Sequence, residues 1–268
     1  MAIRVVMGWC ASLMSHDCRA SQKLDTMCSI VAELLTVGKN TLAGTRTMTQ
    51  PACPLCQETQ QLSELNSAMP RRYLSCGRCH LAFMHPDDYL NAADEKAYYA
   101  THENSIEDEG YVGFLNILLE PLLNLIEPKK TLSALDYGCG PGPTLSVLLE
   151  QKGIHCDNYD PFFFPEQATP PYNVITATEC FEHFHQPEKE LEKLVSWLPP
   201  GGLLALMTSR WSTPEKFMHW HYNRDPTHVI FMHEKTIHFI EEKFGLTCVY
   251  RDEKRVVIFQ KINLINNR

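Results

Sequence analysis

With 268 residues, 44% of them hydrophobic, the chain can bury one full α/β core and still carry a small accessory module. The net charge of −8 is uneven, with +2 over residues 1–47 and −10 over residues 48–268. Such an acidic working region counts against a broad basic face for nucleic-acid phosphates and leaves room only for a local patch.

Eleven cysteines in a short secreted chain would imply disulfides. Here four of them form two Cys-x-x-Cys pairs and the others are scattered through apolar segments, a usage that fits a reducing cytoplasm. Met1 to Ser15 has one Arg and a short apolar run but no Ala-x-Ala-like cleavage site, so it resembles a secretory signal only loosely. The most apolar later stretch, Phe114 to Ile126, is interrupted by Asn116, Glu120, Pro121 and Asn124 and is too short for a membrane span.

Residues 1–47 show little periodicity beyond a short helix expected over Leu24 to Thr36, and they read as a poorly ordered leader. Met48, just ahead of the first cysteine pair, would serve as a start that leaves residues 1–47 untranslated. Residues 48–86 hold both cysteine pairs, with β-like runs at Arg72–Leu74 and Leu81–Met84, and residues 87–130 form a polar connection followed by a lid-like helical region. In that region Tyr111 to Glu127 has helical spacing, with Pro121 as a potential kink.

Residues 131–262 then alternate. Strands are expected over Leu132–Tyr137, Ile154–Asp160, Tyr172–Ala177 and Leu203–Thr208, and helices over Thr144–Lys152 and Lys189–Leu198. A last helix over Glu234–Phe244 precedes a hairpin of Leu246–Arg251 and Arg255–Lys261. The order predicts an α/β fold: a Rossmann-like, doubly wound, mostly parallel sheet that ends in an antiparallel hairpin.

After the first of these strands comes Asp136-Tyr137-Gly138-Cys139-Gly140-Pro141-Gly142. Glycines here let backbone approach a ligand and present amide donors near the start of a helix. A dinucleotide site uses Gly-x-Gly-x-x-Gly, whereas this turn reads Gly-x-Gly-x-Gly with Asp136 just before it. A carboxylate at that strand end suits the amino group of an amino-acid moiety and would repel a pyrophosphate. Asp160, at the end of the second strand, is placed to accept both hydroxyls of a ribose; the alternative is an Asp-Pro turn opener.

In order and spacing these motifs resemble the class I S-adenosylmethionine-dependent methyltransferases over about residues 98–262. Leu135 to Gly142 looks like the family's first motif, Tyr159-Asp160-Pro161-Phe162 like its ribose acid, Ala177 to His183 like its fourth-strand exit, and Leu198 to Gly202 like the loop before its fifth strand. The resemblance implies S-adenosyl-L-methionine (SAM) as cofactor. Gly138 and Gly140 would pass beneath its methionine portion, Asp136 and Asp160 would hold its amino and ribose ends, and Glu179 would line the pocket. One departure stands out: only eleven residues separate Asp160 from Tyr172, so the family's third strand and adenine-side acid are shortened or absent. Phe162, Phe163 or Phe164 would then stack on adenine.

Cys53-x-x-Cys56 and Cys76-x-x-Cys79, nineteen residues apart, have the spacing of a four-thiolate zinc ribbon, with Gly77 supporting the second tight knuckle. A redox pair or an iron–sulfur cluster uses similar pairs, though no βαβ unit surrounds either one. A unit this short has little core, so ligation of Zn2+ would decide its folding. Zinc ribbons ahead of methyltransferase domains are similar to those of ribosomal-RNA guanine methyltransferases and of some sugar methyltransferases. His80 and His85 read as surface or core histidines rather than spare ligands.

For the methyl acceptor, the densest polar group is His219 to His228. His228 and His183 are the leading base candidates, with Tyr222 and Asp225 placed to orient an acceptor. Alternatively, proximity alone suffices and the segment only covers the sheet. Tyr98, Tyr99, His102 and Asn104 form a second polar-aromatic group suited to a lid. The function expected is methyl transfer to an acceptor that is a small molecule or a modified macromolecule. The alternatives are an RNA methyltransferase that uses the ribbon for contact and a non-catalytic zinc- and SAM-binding interaction module.

Overall fold

The computed structural model describes residues 51–101, 104–126, 132–166 and 168–263, so the leader, the helix expected at Leu24 to Thr36 and His102 lie outside the described residues. Ten strands follow in chain order: β1 Leu62–Leu65, β2 Tyr73–Cys76, β3 Ala82–Met84, β4 Ser133–Tyr137, β5 His155–Tyr159, β6 Val174–Thr178, β7 Leu203–Met207, β8 Ile230–Phe231, β9 Leu246–Arg251 and β10 Val256–Lys261. The helices are α1 Ala92–Tyr99, α2 Glu109–Asn124, α3 Thr144–Glu150, α4 Pro187–Trp197, α5 Pro214–Met218 and α6 Glu234–Phe244.

The larger sheet has the order β5-β4-β6-β7-β10-β9. Pairs β5/β4, β4/β6 and β6/β7 are parallel, while β10 is antiparallel to both β7 and β9. Only β10 therefore runs against the rest, as the alternating pattern with its closing hairpin predicts. All five residues of β7 are buried, as expected of a central strand covered on both faces.

Successive side chains point to opposite faces, and the core divides accordingly. Ala134, Val174, Ala205, Met207, Val256 and Ile258 pack with Leu115, Leu118, Leu119 and Leu122 of α2 and Leu145, Leu148 and Leu149 of α3. Leu135, Ile175, Ala177, Leu204, Leu206, Val257 and Phe259 belong to the second cluster, with Leu191 and Leu194 of α4 and Ile237 and Ile240 of α6. Each fully buried Leu or Ile is worth about 1.5–3 kcal/mol over an exposed one, so the two clusters fix the sheet between its helices.

Helix boundaries follow local chemistry. Asp108 caps α2 by accepting from Gly110 and Tyr111 N–H, Asn91 caps α1 through Ala93 and Asp94 N–H, and α6 ends on Gly245 in the left-handed conformation at φ 65°. Helix α1 occupies what the sequence reads as polar connection. It buries only Glu95, so it has no apolar stripe to announce it.

The chain leaves β4 for β5 on one side and returns to β6 on the other, which puts the topological switch point between β4 and β6. Ligands of open α/β sheets bind at that crevice, outside the carboxyl ends of the strands. Beyond β5 the described residues add no further strand. Asp160 and Phe164 form a lone antiparallel bridge, in keeping with the shortened segment read from the sequence.

The cysteine-bearing region forms a second sheet, β1-β2-β3-β8, antiparallel throughout. Its fourth strand comes from far along the chain: Ala82 pairs with Phe231 and Phe83 with Ile230. Leu55, Leu81, Phe83 and Met84 share one cluster with Phe217, Phe231 and Met232, and the Tyr73 ring meets Phe217 edge-on at 5.3 Å. The expectation of a unit with little core is thus corrected, because the ribbon borrows core from the segment after β7. No helix of the described residues is long and apolar enough to cross a membrane.

Candidate active site

Gly138 and Gly140 sit at positive φ, 74° and 65°, directly after β4. A side chain at Gly138 would meet Cys180 Sγ at 2.1 Å, so β6's exit loop fills the space that the glycine leaves. Gly142 has a different reason to be glycine: a Cβ there would stand 2.2 Å from the Asn104 carbonyl oxygen. The segment between α1 and α2 therefore lies directly on the turn, where the sequence reading places a lid.

The amide donors expected of the turn are already engaged. Gly138 and Cys139 N–H donate to Tyr159 O at 2.7 and 3.2 Å, and Gly140 N–H donates to Asp160 Oδ2 at 3.1 Å. The turn is consequently no phosphate cradle, a correction that agrees with its departure from the dinucleotide spacing. Asp160 Oδ1 accepts from Phe162 and Phe163 N–H at 2.8 and 3.1 Å, which leaves one acceptor position, on Oδ2, for a ligand hydroxyl rather than two. Asp160 thus opens its own turn, as the alternative reading expects, and its Oδ2 also ties down the glycine turn.

Asp136 is buried at 4% exposure and accepts from the Thr176 hydroxyl at 3.1 Å. Burial, reinforced by the charge of Asp160 and opposed by that hydroxyl, pushes its pKa up to about 7. Across the switch point, Glu179 follows β6 with φ 48° and its N–H donates to Met207 O at 2.7 Å. Glu179 Oε1 and Thr178 Oγ1 are buried without a hydrogen-bond partner, while Glu179 Oε2 lies 3.0 Å from the Tyr222 hydroxyl.

His183, Tyr222, Asp225 and His228, named separately from the sequence, come together here. Tyr222 OH bridges Glu179 and Glu182 and touches Thr208 Oγ1 at 3.3 Å. His228 packs on Tyr222 with ring centroids 4.3 Å apart and on His183 at 4.8 Å. Its Nδ1 lies 2.7 Å from Tyr222 O, and its Nε2 is 3.8 Å from Asp225 Oδ2 and 3.9 Å from Glu182 Oε1. Burial pushes Glu182 up to about 7, with Glu179 adding to the rise, and pushes His183 down to about 4, with His228 adding to the fall. Burial works against ionised Asp225 as well, yet His228 and Thr227 hold it below the usual carboxylate range.

One contributor, Glu182, was not singled out from the sequence, and Tyr98 and Tyr99, expected in a lid, contact this cluster as well. Glu182 is wholly buried, and the signal for it was its place in the quoted run Glu179-Cys180-Phe181-Glu182-His183, where two acids and a histidine follow a strand end. Tyr98 of α1 reaches across to donate to Asp225 Oδ2 at 3.1 Å, and Tyr99 meets the His183 ring edge-on at 5.1 Å. The polar-aromatic group before α2 thus covers this cluster as well as the glycine turn.

The four cysteine sulfurs lie within 4.8 Å of one another, with Cys53–Cys79 at 3.5 Å and Cys56–Cys76 at 3.4 Å. Sulfurs on one tetrahedral zinc lie about 3.8 Å apart, so the set fits a single ion. The two knuckles match: Gln57 N–H donates to Cys53 O and His80 N–H to Cys76 O, both at 2.9 Å. Gln57 and His80 take the left-handed conformation at φ 60° and 59°, whereas Gly77, expected to supply the turn, instead makes room for Gln61 Cβ at 3.2 Å. The His80 ring packs beside His233 with centroids 5.8 Å apart, and His85 Nδ1 accepts from Asp87 N–H.

The cysteine-bearing region also grips the loop that carries Tyr222 and Asp225. Arg71 donates to Asn223 O and Arg224 O at 2.7 and 2.8 Å, and Tyr73 OH donates to Asn223 O at 3.1 Å. Those carbonyls lie between Tyr222 and Asp225.

A search of curated protein sequences returned no match. Among solved structures, this chain is similar to the YcgJ protein from Bacillus subtilis, with 13% identity, 55% of this chain and 99% of that one covered, and a TM-score of 0.41. It is also similar to magnesium protoporphyrin IX methyltransferase from Synechocystis PCC 6803, with 13% identity, coverage of 65% and 94%, and a TM-score of 0.41. For the cyclopropane synthase MmaA2 from Mycobacterium tuberculosis the values are 16%, 62%, 75% and 0.43. The family model described as "Methyltransferase domain" matches residues 111–251, more than half of the sequence, and the chain belongs to that family.

Proposed function

We propose that this methyltransferase binds SAM in the crevice between β4 and β6 and transfers its methyl group to a small-molecule acceptor held against the Glu182–His183–Tyr222–Asp225–His228 wall. The observation that carries the reading is the pair of buried, unpartnered oxygens, Glu179 Oε1 and Thr178 Oγ1, at the end of β6, where Cys180 Sγ packs into the space left by Gly138 of the facing turn. Asp136 is suited to the cofactor's ammonium, Asp160 Oδ2 to one ribose hydroxyl, and Glu179 to the polar groups between them. The cofactor, when bound, supplies an electrophilic methyl carbon on a sulfonium.

The protein's part is placement and proton control. Asn104, Tyr98 and Tyr99 cover the crevice and exclude water, while Asp225 and Tyr222 orient the acceptor. The proton that the acceptor loses passes to the His183–His228 cluster rather than to bulk solvent. Four cysteines hold one Zn2+, and the ribbon's part is to fix residues 222–225 through Arg71 and Tyr73 rather than to contact RNA.

A screen of hydroxyl-, amino- and carbon-acid acceptors with methyl-labelled SAM tests this reading. Label should move to a small molecule in the intact chain and not in His228→Ala. Transfer to RNA alone would favour the RNA alternative, and SAM binding with no transfer to any class would favour an interaction module.

A further inference from the structure

We propose that Glu182, His183 and His228 form a binding site for one divalent transition-metal cation, distinct from the four-cysteine cluster. One donor atom from each residue lies within 4.8 Å of the others. Donors around a single ion with bonds of about 2.1 Å stand about 3–4 Å apart, so the set closes on an ion with no more than about 1 Å of movement.

The histidine tautomers point the same way. His183 Nδ1 lies 3.0 Å from Thr227 O and His228 Nδ1 lies 2.7 Å from Tyr222 O. A carbonyl only accepts, so each Nδ1 carries the proton and each Nε2 holds the lone pair, which is how metal-ligating histidines are oriented by their surroundings. Glu182 supplies the independent observation: its side chain has 0% exposure, Oε1 takes the Tyr222 hydroxyl, and Oε2 has no hydrogen-bond partner.

Charge balance adds a reason. Glu179, Glu182 and Asp225 converge on this small volume; Glu179 lies within hydrogen-bond reach of Glu182 and feels the charge of Arg255, but among the described residues no Lys or Arg comes within salt-bridge distance of any of the three. Two imidazoles and a carboxylate suit Zn2+, Mn2+, Fe2+ or Co2+ better than the all-oxygen preference of Mg2+ or Ca2+. Three protein ligands also leave coordination positions open. Cys180, between Glu179 and Glu182, abuts Gly138, so the site adjoins the glycine turn. The open positions therefore fit an acceptor's hydroxyl oxygen, an assignment of acceptor class that rests on the methyltransferase reading; the metal site itself does not. With the ion bound the two imidazoles are ligands rather than bases, and the hydroxyl's proton passes to Glu179, whose Oε1 has no hydrogen-bond partner.

The test uses the full chain as purified, with its cysteine cluster occupied, titrated with Co2+ and read by visible absorption and by metal analysis after desalting. The expected result is one additional equivalent of Co2+ with weak ligand-field bands and no thiolate charge-transfer band. Its affinity should fall at least tenfold in both Glu182→Gln and His183→Asn. No additional equivalent in the unaltered protein, or cobalt bound only with a thiolate band, overturns the proposal whatever the variants do. Unchanged affinity in folded Glu182→Gln and His183→Asn also overturns it. SAM binding measured on the same samples stands apart, so loss of the metal reading leaves the cofactor reading separately decided.

Discussion

The two walls of the crevice are built on opposite terms. On the β4 side, the turn after β4 ties its amides to Tyr159 and Asp160, and Asp160 accepts three backbone N–H groups. On the β6 side, Glu179, Glu182, Tyr222, Asp225 and His228 come from two segments at least forty residues apart, and buried oxygens of Glu179 and Glu182 lack partners. The first wall is finished by local chain geometry. The second is held by tertiary contacts, chiefly Arg71 and Tyr73 of the ribbon and Tyr98 of α1. A wall whose polar groups are satisfied fixes shape, whereas buried unsatisfied groups are costly unless a ligand completes them.

Disrupting the four-cysteine cluster, proposed to hold Zn2+, should break the contrast most severely. Structural zinc carries apparent binding energies of ~10–16 kcal/mol, though the core shared with Phe217 and Phe231 retains part of the fold. Cys76→Ser should lower unfolding free energy by several kcal/mol, read by denaturant titration, and should disturb residues 217–231 first in hydrogen exchange. An equal loss of protection in α2 and α3 would contradict the proposed division of labour.

Gly138→Ala acts on the finished wall. A Cβ at 2.1 Å from Cys180 Sγ, on a backbone at φ 74°, should cost about 3 kcal/mol and weaken SAM binding by at least tenfold. Gly142→Ala should push the Asn104 backbone off the turn instead, weakening SAM binding at a stability cost confined to the segment between α1 and α2; calorimetry and hydrogen exchange of both variants separate the two effects.

His228→Ala and Arg71→Ala should lower turnover while leaving cofactor affinity nearly intact, and Asp160→Ala should do the reverse. Kinetics with SAM varied at saturating acceptor distinguish them.

The smallest effect is pH-dependent. Asp136, with its pKa raised to about 7, holds its proton more tightly folded than unfolded, so its contribution makes stability fall as pH rises from about 4 to 7. An ammonium ligand prefers the ionised carboxylate. SAM should thus bind about tenfold more tightly at pH 7.5 than at pH 5.5, and Asp136→Asn should flatten that slope.

Much of the cofactor wall was legible in the sequence because its parts are contiguous: a strand, a turn and an acid at the end of the next strand. The sheet was legible too, since β4, β6 and β7 are short apolar runs, and α6 matched its expected limits of Glu234 and Phe244. What escaped depends on partners far along the chain. Strand β8 has two residues and exists because Ala82 and Phe83 lie beside it. Helix α1 has a cap but no apolar stripe, and α5 spans a single turn or so. The role of Gly142 is set by Asn104, and that of Gln57 and His80 by knuckle geometry, none of which leaves a local composition signal. Glu182 stood in plain view but without a tertiary reason to select it.

Isothermal titration of the full chain with SAM and with a nicotinamide dinucleotide tests the central claim most directly. One SAM should bind per chain, with binding about tenfold weaker in Asp136→Asn at pH 7.5 and no binding of the dinucleotide. Absence of SAM binding, or SAM binding indifferent to Asp136→Asn, would contradict the account.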